Sequence, residues 1–75
     1  MPRIDEMYAF IADEGGGDEG ITAFMGPHGW MPMVGADLAR IESLKERARE
    51  LAVASKRPIK LVRFKIREEI EVISP

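Results

Sequence analysis

The run of residues 37–55 constrains this chain most. At a helical period Leu38, Ile41, Leu44, Ala48, Leu51 and Ala52 share one stripe, while Arg40, Glu42, Lys45, Glu46, Arg47, Arg49 and Glu50 fill the opposite side. Asp37 suits the N-cap, its carboxylate accepting a free first-turn amide, and Pro58 cannot continue the helix, which therefore ends near Lys56-Arg57. Everything before and after reads as extended chain. The simplest globule lays this one helix across one face of a small sheet.

The strands follow from shorter patterns. Met7-Tyr8-Ala9-Phe10-Ile11-Ala12 is an apolar run flanked by acids and reads as a central strand. Residues 13–20, with four glycines and four acids, have nothing to bury and read as a flexible acidic loop. Residues 21–25 and 30–34 resume the strand pattern around Gly26-Pro27-His28-Gly29, which predicts a hairpin with a four-residue turn; Pro32 lacks an amide donor and marks an edge or an irregularity. In residues 59–66, Val62, Phe64 and Ile66 alternate with Arg63, Lys65 and Arg67, so one strand face is apolar and the other largely basic. The continuation through Ile70, Val72 and Ile73 suits a prolonged strand or an arm over residues 67–75, and a short helix would also satisfy its spacing. The predicted fold is α+β, in the order β-β-β-α-β, with one amphipathic helix on a small, mostly antiparallel sheet as a single domain over residues 1–75.

A chain of 75 residues buries only about 60% of the surface its unfolded form exposes. It has no cysteine, so neither disulfides nor thiolate zinc can reinforce it. Self-association is the remaining route to stability for a domain this small. With 45% apolar and 32% charged residues it is too hydrophobic for a disordered segment, and no apolar run approaches the ~20 residues that span a bilayer. Acids near the start (Asp5, Glu6) argue against a secretory signal, which leads to the expectation of a cytoplasmic protein without membrane contact.

The net charge of −2 conceals segregation along the chain. Residues 1–35 carry one cation against six acids, residues 36–67 carry ten cations against four acids, and the tail adds Glu68, Glu69 and Glu71. Lys60, Arg63, Lys65 and Arg67, with Lys56 and Arg57 upstream, are therefore candidates to hold a small anion such as a nucleotide, the competing reading being a solvated face or pairing with the tail acids. Nucleic acid is a poor fit at a sequence pI of about 5.4.

Candidate chemistry is sparse. His28 has no apparent orienting partner, nucleophile or companion ligand and reads as an exposed turn residue. The acids of residues 13–20 lack calcium-loop spacing, and their glycines are flanked by acids and followed by a strand, unlike a phosphate cradle. Ser43, Ser55, Ser74 and Thr22 stand in no nucleophilic setting. No enzyme, metal or cofactor is implied. The apolar side chains of Phe24, Trp30, Met31 and Met33 exceed what one helix can cover, and they are the candidate interface of a homo-oligomer or a protein-binding surface, the competing reading being that they fill an irregular small core. The expected function is a non-enzymatic interaction module that self-associates, the alternative being a sponge- or inhibitor-type protein that sequesters a small anionic ligand in a basic pocket between protomers.

Overall fold

The computed structural model describes residues 3–75, so the first two residues of the expected domain lie outside it. Among the described residues the chain forms β1 (Met7–Gly15), β2 (Asp18–Ile21), β3 (Ala23–Gly26), β4 (Gly29–Pro32), β5 (Val34–Gly35), α1 (Leu38–Ser55) and β6 (Ile59–Phe64). The class is α+β, one helix packed against antiparallel sheets. The extended regions expected before the helix are subdivided into five strands.

β1 is central because its apolar residues face both ways. One of its edges pairs with β6, from Met7↔Phe64 to Ala12↔Ile59. The other is shared end to end: β2 takes the C-terminal half (Ile11↔Ile21, Asp13↔Glu19) and β5 the N-terminal half (Tyr8↔Gly35, Ala9↔Val34). Where β2 and β5 part, the backbone closes a ring. Thr22 N–H donates to Phe10 O (2.9 Å), Phe10 N–H to Met33 O (3.0 Å) and Met33 N–H to Thr22 O (2.8 Å). The Thr22 hydroxyl, which is buried, donates to Phe10 O as well, at 2.9 Å. Between Thr22 and Met33 the chain makes the separate β3–β4 hairpin, with Phe24↔Met31 and Met25↔Trp30 in register. Pro27 and His28 alone form its turn, since Gly26 and Gly29 already pair and Gly29 takes the positive φ (113°) that only glycine adopts easily.

Two expectations need correction here. Residues 13–20 are not a flexible loop but the end of a hairpin: β1 runs on to Gly15 and β2 begins at Asp18. Gly15, Gly16 and Gly17 have φ of 92°, 62° and 86°, so the glycines supply a left-handed turn rather than freedom. The last strand stops at Phe64, two residues before the expected end, and residues 65–75 carry no regular secondary structure.

Asp37 caps α1 as expected, with φ −111°, ψ 128° and its carboxylate accepting from Ala39 N–H at 2.9 Å. Lys56 ends the helix in the left-handed conformation. Ile41, Leu44 and Ala48 drive the apolar stripe into a core with Phe10 and Met33, and Tyr8, Phe24, Leu51 and Ile59 pack around it. Leu38, on the same stripe, stays exposed at the first turn.

Candidate functional site

Strand alternation divides the sheet into two faces, because directly paired residues of an antiparallel ladder point the same way. Tyr8 and Phe10, with Leu61 and Ile59, face α1. Met7, Ala9 and Ile11 face away, in line with Phe64, Val62 and Lys60 of β6, Ile21 of β2 and Val34 of β5. No helix covers this second face among the described residues. Ala9 and Ile11 are nonetheless buried, shielded by the larger chains on either side of them, whereas Met7, Ile21 and Phe64 are left in water.

The apolar surface continues beyond the sheet. Ile66, Ile70, Val72 and Ile73 are 98%, 91%, 77% and 87% exposed. A small domain scatters single exposed aliphatics, but four within eight residues, following directly on the open-face strand β6, concentrate apolar surface at one end of the chain. Of these residues Ile66 and Val72 keep the parity of Val62 and Phe64, as does Ile70. That parity is the signal by which the surface is legible in sequence.

The four cations chosen from sequence do not converge on one pocket. Lys60 points to the open face and meets Glu19 at 3.6 Å, across the sheet from Arg63, which stands opposite Tyr8 on the helix face. Arg67 donates to Ile4 O at 3.2 Å, meets Glu69 at 3.2 Å and lies 4.0 Å from Asp5. Among the described residues Arg63 and Lys65 have no carboxylate within 4.0 Å. An open cleft of ≈ 620 Å³ lies beside residues 3–7 and 64–68, and its charged lining mixes Arg3 and Arg67 with Asp5, Glu6 and Glu68. That balance offers an anion no net attraction.

The hairpin candidates separate by depth. Trp30 is 70% exposed, and Met31 is half-buried against Gly26. Phe24 is half-buried on the core beneath the Arg47 guanidinium, whose carbon lies 4.4 Å from the ring centroid. Met33, at 1% exposure, is a core residue and cannot serve as an interface side chain. Met33 stands opposite Thr22 in continuation of the hairpin register and opposite Phe10 in continuation of the β1–β5 register, so strand alternation puts its side chain on the face of Phe24 and Phe10, against the helix.

The polar groups are engaged in local structure. His28 is exposed at the hairpin turn. The Thr22 hydroxyl is bound to Phe10 O and that of Ser43 to Arg40 O, so both serve the backbone. Among the described residues no three His, Cys, Asp or Glu side chains are grouped to hold a metal ion, and no helix is long and apolar enough to cross a membrane. Comparison of the chain with protein-family models, curated proteins and solved structures gives no match.

Proposed function

We propose that this chain is a non-enzymatic interaction module that associates with copies of itself. The observation that carries the reading is the apolar surface the single chain leaves in water: Met7, Ile21 and Phe64 on the sheet face without a helix, continued by Ile66, Ile70, Val72 and Ile73. Burying such side chains is worth roughly 1.5–3 kcal/mol each when they are fully removed from water, and a second copy offers the same surface in return. The fold also has reason to gain from it, since among the described residues only Ala9, Phe10, Ile11, Met33, Ile41, Leu44 and Ala48 form its buried apolar core.

Native mass spectrometry of protein purified without refolding, joined to sedimentation over a dilution series, tests the proposal. A bare oligomer that dissociates on dilution is the expected result. A bare monomer throughout the series overturns it. Extra small-molecule mass that disappears when Arg63 and Lys65 are both changed to Gln replaces it with the anion-sequestering alternative.

A further inference from the structure

β6 is an edge strand whose strand partner is β1, so among the described residues the outer amides and carbonyls of Ile59–Phe64 have no ladder partner. The chain runs on past Phe64 with Ile66, Ile70, Val72 and Ile73 in water. Arg67 ties this continuation to Ile4, three residues before β1. An apolar edge of this length is a template for another strand. We infer that residues 65–73, which carry no regular secondary structure in the single chain, extend β6 on association, and that residues 61–73 of two copies then pair as antiparallel strands about a two-fold axis at Arg67, joining two sheets edge to edge. The inference rests on the self-association proposed above and names its geometry.

The register comes from self-complementarity. A two-fold axis normal to the sheet keeps each side chain on its own face, so only registers centred on a residue are allowed. Centred on Arg67, the pairing sets Val62 opposite Val72, Phe64 opposite Ile70 and Leu61 opposite Ile73. It also sets Arg63 opposite Glu71 and Lys65 opposite Glu69. Arg63 and Lys65 are the two β6-side cations without a carboxylate partner in the protomer, and this is the one register that places both opposite acids. The Arg67 register does set Ile66 opposite Glu68, but an axis at Ile66 would set Phe64 against Glu68 and also Lys65 against Arg67. An axis at Glu68 would leave Arg63 facing Ile73. The two Arg67 side chains that meet at the chosen axis already have Asp5 and Glu69 of their own protomers at 4.0 and 3.2 Å.

Charge reversal tests this pairing on the full chain by sedimentation equilibrium, with circular dichroism confirming that each variant folds. Arg63→Glu or Glu71→Arg makes both symmetry-related pairs like-charged and should raise the dimer dissociation constant by about tenfold or more. Combining the two changes in one chain should restore dimerisation, and mixing the two single variants should give a heterodimer although neither pairs well alone. Rescue of Glu71→Arg by Lys65→Glu, or of Arg63→Glu by Glu69→Arg, would overturn the register in favour of an axis at Glu68 or Ile66. A wild-type dimer indifferent to all these changes overturns the strand pairing and leaves self-association standing; a wild-type monomer overturns both.

Discussion

Replacing Met33 by alanine should destabilise the fold by about 3 kcal/mol, within the 2–5 kcal/mol typical of truncating a buried methionine. Met33 is 1% exposed and packs with Phe10, Ile41, Leu44 and Ala48, so the cavity would open between sheet and helix, where neither layer can collapse freely. Its main-chain bonds to Thr22 and Phe10 survive the change, which confines the loss to the side chain. A domain of 75 residues has a total stability of about 4–11 kcal/mol, so the variant forfeits a large share of it. With a urea slope of about 1 kcal/mol per molar, the denaturation midpoint should fall by about 3 M, measured at fixed protein concentration because association adds to apparent stability. Met33→Leu should lose less than about 1.5 kcal/mol. Trp30→Ala is the control: at 70% exposure it should cost less than about 1 kcal/mol. A smaller midpoint shift for Met33→Ala than for Trp30→Ala would refute the assignment of Met33 to the core.

Three further substitutions probe the backbone logic. Asp37→Ala should lower stability by about 1 kcal/mol through loss of the cap on Ala39, and Asp37→Asn should keep most of it; equal losses in thermal melts would assign the effect to charge rather than to the hydrogen bond. Lys56→Gly should raise stability by roughly 0.5–1 kcal/mol, because the residue sits at φ 57°, ψ 33°, where a side chain is strained; an unchanged melting temperature would count against that strain. Gly16→Ala, at φ 62° in the β1–β2 turn, should cost about 1 kcal/mol or more even though nothing lies within 4 Å of the added methyl, and a neutral result in urea denaturation would mean that the turn relaxes freely.

What was legible in the sequence was what neighbours along the chain decide. The helix at Leu38–Ser55, its Asp37 cap and the central β1 follow from periodicity, one carboxylate and a short apolar run, all read within a few residues. The acidic hairpin was not legible because glycine and charge are shared by open loops and left-handed turns; pairing with β1 decides between them. The meeting of Thr22 and Met33 with Phe10 depends on residues distant in sequence; Trp30 and Met33 look alike as large apolar residues, but they have opposite strand parity, and pairing with β1 decides which hairpin face is buried. The four cations failed as a cluster for a similar reason. Alternation could separate Lys60 from Arg63, but the acids that neutralise Lys60 and Arg67 come from β2 and from residues 5 and 69.

The ring of backbone hydrogen bonds joining Phe10, Thr22 and Met33 has a consequence for how such a chain can diversify. It closes the base of the β3–β4 hairpin with main-chain groups, and those bonds are indifferent to residue type as long as proline stays out of the three positions. The sheet and helix therefore do not depend on what the hairpin tip carries. Doubling the length of a flexible insertion there costs only about 0.6 kcal/mol in closure entropy. The segment from Met25 to Trp30 is thus a natural graft site, where the displayed surface can be rewritten while the scaffold beneath keeps its register.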